Sequence, residues 1–328
     1  MPDSKRKAVV LGDFSPPTVA VQYIADVARR FADEVTLVVD AHRQDTITAP
    51  QRAAWLKELF PDTAVRVITS SDWHKSDPAD FSEELTKGVR RILGKKGLLF
   101  SLEAQRAGAL AAQLGVTYVP LDLGGIALAS VSEAAVRKEP LAHWHALPEC
   151  VRPYFVRRVC IFGPESTGKS TLAKRLAQHY QTLAVPEFAK AYIETMGRDI
   201  GSKDMVTIAR GQIASEDAAA PLANRVLFCD SDPVTTYIWS GRLVGKVPAW
   251  LRQAADRRRY DLYIVTDIDV PYVDDVHRYI PKERQIFLDR CLLELQSRKR
   301  RFVQIKGGWD ERFDAAVKAV DEMLSQPR

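Results

Sequence analysis

Residues Gly163-Pro-Glu-Ser-Thr-Gly-Lys169-Ser170 have the spacing G-x-x-x-x-G-K-[ST] of a phosphate-binding loop. Chemistry requires those residue types there. Glycines let the backbone curl until successive N–H groups and the N-terminus of the following helix point at phosphate oxygens. The context agrees with the motif. An apolar run, Val159–Phe162, precedes it, and Leu172, Leu176, Ala177 and Tyr180 follow at helical spacing. The pattern predicts phosphate contacts from Gly163, Glu165, Ser166, Thr167, Gly168, Lys169, Ser170 and Thr171. Lys169 would reach the outer phosphates, and Ser170 would ligate Mg²⁺.

Such a loop binds a nucleotide without fixing the reaction, so the acids around it matter. Thr182–Val185 reads as a strand running into Glu187, and Val226–Cys229 as one running into Asp230 and Asp232. Ligands of parallel sheets lie beyond the strand C-termini, which places all three carboxylates at the nucleotide cleft. Asp230 is the expected Mg²⁺ partner. Glu187 is the better-placed base for a substrate hydroxyl, with Asp232 as competitor. A third strand, Leu262–Val265, opens onto Asp267, Asp274, Asp275 and Arg278, and an arginine-containing segment with Arg284 and Arg290 follows. That segment reads either as a basic lid over transferred phosphate or as an ordinary charged helix. The runs Arg257–Arg259 and Arg298–Arg301 read as solvated faces rather than nucleic-acid patches.

The elements that must position these residues fall into two series. Strand-like runs at Ala8–Leu11, Val35–Val39, Ala64–Ile68, Gly97–Phe100 and Thr117–Val119 alternate with helical segments, among them Glu103–Leu114 closed by Gly115. Pro140, Pro148 and Pro153 then interrupt any long element, and a second alternating series begins at Arg158. The last helix is expected over Arg312–Leu324. The fold class is therefore α/β, with two doubly wound parallel-sheet domains divided near residue 150, namely 1–150 and 151–328. The length of 328 residues suits two domains, and 46% hydrophobic with 27% charged residues excludes disordered, collagenous and disulfide-scaffold classes. No stretch approaches a membrane helix, and no signal peptide is visible before the first strand. Cys150, Cys160, Cys229 and Cys291 form no C-x-x-C pair and read as buried thiols of a cytoplasmic protein. His143 and His145 flank Trp144 at a spacing that suggests no metal site. Charge is uneven. Residues 1–150 hold 18 basic and 19 acidic side chains, net −1, which leaves 29 and 23, net +6, for residues 151–328. An excess of that size suits phosphate handling.

With those residues in view, the chain resembles the NadR-type proteins, which join a nicotinamide-mononucleotide adenylyltransferase domain to a ribosylnicotinamide kinase domain. The resemblance rests on Arg157–Thr171, on Glu187-Phe-Ala-Lys-Ala-Tyr192, on Phe228–Thr236, on Pro271-Tyr-Val-Asp-Asp-Val-His-Arg278 and on Trp309-Asp-Glu-Arg-Phe313. It implies ATP-dependent phosphorylation of nicotinamide riboside, with Mg²⁺. Catalytic roles then fall to Lys169, Glu187, Asp230, Asp232 and Arg278. Trp309 and Arg312 would join the nucleotide contacts, Glu187, Tyr192, Asp232, Tyr272 and Asp275 would hold the substrate, and Ser170 and Asp230 the metal. Lys190 stands where the family tends to have Arg, and Tyr272 where it often has Trp.

The first half departs further from the family. In place of its H-x-G-H signature the chain has Thr18, Val19, Ala20 and Val21, with Asp13 in place of a basic residue. Val131-Ser132 through Arg137 resembles the family's I-S-x-x-x-x-R turn. The first domain is thus expected to be adenylyltransferase-like in fold and impaired in catalysis, since a valine cannot stabilise phosphate charge as an imidazolium does. Two other readings stand beside the kinase: a bifunctional enzyme that also makes NAD, and an ATP-dependent regulator sensing pyridine nucleotides. The expected partners are small molecules (ATP, nicotinamide riboside or its mononucleotide), with no membrane and no DNA-binding module, since the first strand starts near residue 7. The sequence leaves self-association into a homo-oligomer open.

Overall fold

The computed structural model describes residues 5–70, 81–121, 131–271 and 283–326, and the chain divides into two compact units, 1–151 and 152–328. In the first unit β1 (Lys7–Gly12), β2 (Glu34–His42), β3 (Ala64–Ser70), β4 (Leu98–Ser101) and β5 (Thr117–Tyr118) form an all-parallel sheet in the order β3-β2-β1-β4-β5. Its faces are covered by α1 (Val19–Phe31) and α2 (Ala49–Leu59) on one side, and by α3 (Glu83–Leu93) and α4 (Ala104–Leu114) on the other. Because both faces of the inner strands are buried, β1, β4 and the middle of β2 read as continuous apolar runs rather than alternating ones, whereas the edge strand β3 is largely exposed. Ser82 starts α3 by accepting the Leu85 N–H at 3.1 Å, and Gly115 ends α4 in the left-handed conformation at φ +64°. The short helix α5 (Glu133–Lys138) and the link α6 (Arg152–Phe155) complete the run up to the second sheet.

The second unit repeats the plan. β6 (Arg157–Phe162), β7 (Leu183–Val185), β8 (Val226–Asp230), β9 (Leu262–Thr266) and β10 (Phe302–Ile305) lie parallel in the order β10-β9-β6-β8-β7. The order reverses around β6, so its C-terminal end is the crevice in which doubly wound sheets hold ligands. Helices α7 (Lys169–His179) and α13 (Trp309–Leu324) pack over one face through Leu172, Leu176, Ala316 and Val320. Helices α8 (Phe188–Met196), α9 (Ser202–Ala219), α10 (Pro233–Leu243), α11 (Ala249–Arg257) and α12 (Arg284–Ser297) build the remainder.

Both five-strand α/β sheets agree with the fold class read from the sequence. The segment containing Arg284 and Arg290 is the ordinary helix of the two readings. Phe287, Leu288, Cys291 and Leu295 of α12 are buried, Arg290 pairs with Glu294, and Arg284 is buried against the Val270 and Ser166 carbonyls at 3.1 and 3.3 Å. Strand β10 and helix α11 were not anticipated. The first has only four residues, and the second is a nine-residue helix of low overall hydrophobicity. The four cysteines are free. Among the described residues no helix is long and apolar enough to cross a membrane.

Candidate active site

The phosphate-binding loop closes through three residues with positive φ, two of them glycines. Gly163 (φ +134°), Ser166 (φ +58°) and Gly168 (φ +83°) all lie in the left-handed half of conformational space. A Cβ at Gly163 would sit 2.8 Å from the Thr266 carbonyl oxygen, and one at Gly168 would sit 2.3 Å from the Trp309 ring. Those two glycines are therefore required by close approach as well as by φ. The Thr167 hydroxyl ties the loop to itself through the Pro164 carbonyl (2.8 Å) and meets the Thr266 hydroxyl of β9 at 2.7 Å. The Lys169 ammonium donates to the Pro164 carbonyl at 2.8 Å, so it lies across the loop from which it would reach phosphate.

Arg312 holds this loop from behind. It is fully buried, and it donates to the carbonyls of Gly307 (2.9 Å), Thr167 (2.9 Å) and Asp267 (3.0 Å) and pairs with Asp269. Through these bonds it joins the loop to the ends of β9 and β10, and it lines a small cleft with Gly168, Thr171 and Trp309. Replacing it with Met removes the donor to one buried carbonyl, Thr167, and to two half-buried ones, Gly307 and Asp267. The expected cost is about 3 kcal/mol of unfolding free energy, read as a lower urea midpoint at unchanged slope. Trp309, by contrast, is 53% exposed and stands beside Gly168, where a flat base could stack.

At the end of β8, Asp230 is buried and accepts the Ser170 hydroxyl at 2.5 Å through Oδ2, while its Oδ1 has no partner. A buried carboxylate oxygen left unpaired beside a hydroxyl, on a loop built for phosphates, fits a Mg²⁺ ion held between protein and nucleotide. Burial pushes the Asp230 carboxyl up, and Lys169 and Ser170 oppose that shift. Among the described residues no group of three or more Asp, Glu, His or Cys side chains gathers into a metal cage.

Glu187 is the N-cap residue of α8, following β7, and it lines the same cavity as the loop. Loss of solvent around it raises its carboxyl to about 7; the ammonium groups of Lys169 and Lys190 pull it down, and Asp230 and Glu165 push it up. Asp232 is used differently. Oδ1 accepts the backbone N–H (2.8 Å) and hydroxyl (3.1 Å) of Thr235, and Oδ2 accepts the Tyr263 phenol at 2.8 Å. Each oxygen is therefore engaged in starting α10 or tying it to β9. Tyr192 also works inside the protein. Its hydroxyl donates to Asp204 at 2.8 Å, beside the two Arg198 bonds that hold that carboxylate well below its usual range. Tyr272, Asp275 and Arg278, with Asp274, lie outside the described residues.

The cavity has a volume of about 350 Å³ and runs from Gly163–Thr171 past Glu187 to a wall of Ile193, Ile200, Met205, Ile208, Trp239 and Leu243. The sequence reasoning missed Trp239, Gln212 and Thr235. One signal was available. Positions 232, 235, 236 and 239 recur at the spacing of a single helical face, immediately after a strand-end acid. Trp239 packs on Phe287 with centroids 4.6 Å apart, and Gln212 accepts the Phe188 N–H at 2.9 Å, fixing the start of α8 next to Glu187.

In the first unit, the residues standing in the H-x-G-H positions are interior. Val21 lies in the core with Ile24 and Ala25, and Thr18 is buried as well. Asp13 pairs with Arg137 at 3.6 Å, and its carbonyl accepts Arg52 at 2.5 Å, while Arg137 also donates to the Ser15 carbonyl at 2.7 Å. Burial and a hydrogen bond to Asp13 raise the Glu133 carboxyl.

The second unit is thus a P-loop nucleotide-binding domain, preceded by a separate doubly wound unit. Residues 158–312 match the family model described as an AAA domain. Over 99% of its length the chain is 28% identical to the trifunctional NAD biosynthesis/regulator protein NadR of Escherichia coli, covering 85% of that protein. It is 27% identical over 98% of its length to the Salmonella typhimurium protein of the same name, covering 84% of it. Two solved NadR structures share the fold: one in complex with NR (TM-score 0.79, 22% identity) and one with NAD and AMP-PNP (TM-score 0.80, 20% identity). Each alignment spans 99% of this chain and 98% of the other. The chain is similar to NadR along its whole length.

Proposed function

We propose that residues 152–328 transfer the γ-phosphate of ATP to the 5′-hydroxyl of nicotinamide riboside, giving nicotinamide mononucleotide and ADP. The observation that carries this reading is the single cavity joining the P-loop, Glu187 and an apolar wall with an aromatic face. Glu187, poised near 7, takes the hydroxyl proton as the oxygen attacks phosphorus, and Lys169 and the loop N–H groups meet the charge on the phosphate oxygens. A Mg²⁺ bound by Ser170 and Asp230 would neutralise charge on the phosphates. Trp239 offers the cationic pyridinium ring a stacking surface. The relatives named for NAD biosynthesis, and a relative complexed with NR, point the same way. Such a reaction suits the cytoplasm, where ATP is made.

Purified protein with Mg-ATP and nicotinamide riboside should release the mononucleotide and ADP in equal amounts. No product across the common nucleosides would sink the reading. Trp239→Ala should raise KM for the riboside about tenfold with a smaller effect on kcat, measured by initial rates.

For residues 1–151 we propose an adenylyltransferase-like unit that no longer performs adenylyl transfer. Its support is local. The two positions where imidazoles would serve are buried in the protein interior, and the arginine of the later turn is engaged by Asp13 and Ser15.

A further inference from the structure

Helix α10 offers the cavity Asp232, Thr235, Thr236 and Trp239, and the protons on that face are already committed. Asp232 Oδ1 receives the Thr235 backbone N–H at 2.8 Å and is therefore an acceptor, so the Thr235 hydroxyl, 3.1 Å from the same oxygen, must be its donor. The Thr236 hydroxyl likewise donates, at 3.4 Å, to the Asp232 carbonyl. A hydroxyl has one proton and two lone pairs. With the proton spent inward, what each threonine can turn toward a ligand is a lone pair. Both threonines are buried, so a ligand group pressed against them finds little water to mediate a mismatch.

We infer that Thr235 is a specificity-determining residue that selects a ring substituent carrying N–H, a primary carboxamide, over one carrying a carboxylate. A carboxamide brings donors to this face. A carboxylate brings only acceptors, to be held against lone pairs and next to the buried Asp232 carboxyl. Trp239, one turn along α10 from Thr235, is placed to hold the ring whose edge is being read. Lys190, a cavity cation that would welcome a carboxylate, lies in the first turn of α8, three residues from its N-cap Glu187, and not on α10. The inference rests on the nucleoside-kinase reading and adds the chemistry by which the site would tell an amide riboside from its acid.

The test uses the full chain with Mg-ATP and, in parallel, nicotinamide riboside and nicotinic acid riboside. The amide should be preferred in kcat/KM by at least about tenfold. Thr235→Val, which keeps the shape and removes the lone pairs, should bring the ratio close to one by lowering the amide rate. Thr235→Ser, which keeps the hydroxyl, should preserve the ratio. ATP affinity measured by titration reports whether each variant folds, and the wild-type comparison stands without any variant. Equal use of the two ribosides by the wild type overturns the inference and leaves the kinase reading intact. So does a valine variant that slows both alike, which would assign the Thr235 lone pairs to a ribose hydroxyl. Turnover of neither riboside overturns the kinase reading and the inference with it.

Discussion

Glu187→Gln should lower kcat for nicotinamide riboside by about a hundred- to ten-thousand-fold while leaving ATP affinity close to that of the wild type. The amide keeps the size of the side chain and cannot accept the substrate proton. The pH dependence supplies a second readout, with its sign fixed by chemistry. Glu187 works as the carboxylate, and its carboxyl has been raised to about 7, so kcat/KM should climb as pH rises through that value and fall tenfold per unit below it. An ordinary glutamate would put that limb near 4 and leave the rate flat across the neutral range. The variant should lose the limb together with the rate. A wild-type profile flat from pH 5 to 8, or a glutamine variant of normal kcat, would remove Glu187 from the role of base.

Asp232 cannot take that role on equal terms, for reasons no linear sequence displays. Both acids follow a short apolar strand and stand at a helix start. From the sequence they differ only in what surrounds them. In space, Asp232 has both oxygens occupied by Thr235 and Tyr263, whereas Glu187 is the N-cap residue of α8 with no side-chain cap bond to spend its oxygens on. Tyr263 lies 31 residues from Asp232 in the chain and meets it only because β9 and β8 both flank β6. Arg312 follows the same pattern. Its place beside Trp309 in the sequence suggests a nucleotide contact; in the fold it shares a small cleft with Gly168, Thr171 and Trp309, and its guanidinium also holds Thr167 and Asp267, 145 and 45 residues away.

The periodic features were legible. The alternation of apolar strands and amphipathic helices is local information, and it was enough for both parallel sheets and for the position of the phosphate loop at a strand end. What stayed hidden was any choice made by tertiary packing. The cavity wall draws on α8, α9 and α10, whose contributions of one or two side chains per turn resemble any helix interior until the helices are brought together. Gln212 is an instance. In sequence it is a polar residue in mid-helix. In the fold it joins the Phe188 N–H to Glu216, which is itself fully buried against Arg258 and Tyr260. Charge balance carried some of this information. The half with net +6 contains the phosphate-binding loop, whereas in the half with net −1 a hydrogen bond and charge repulsion from Asp13 raise the buried Glu133 carboxyl.

Lys169→Ala should abolish riboside phosphorylation, lowering kcat by about a thousandfold or more, because the ammonium is the one flexible cation that the loop can carry onto the transferring phosphate. Lys169 also lowers the Glu187 and Asp230 carboxyls, so the substitution should move the residual pH limb upward, toward weaker acidity. The same variant separates the two units. If the first unit adenylates nicotinamide mononucleotide, NAD formation from supplied mononucleotide and ATP should survive Lys169→Ala unchanged, since that chemistry would not use the P-loop. The expected result is no NAD from either protein. Thr18 and Val21 are interior side chains without charge, and a lost charge-stabilising donor is worth a few kcal/mol, about two orders of magnitude in rate, at each position. NAD produced at equal rates by wild type and variant would return the first unit to catalysis and require a phosphate-stabilising group other than those two positions.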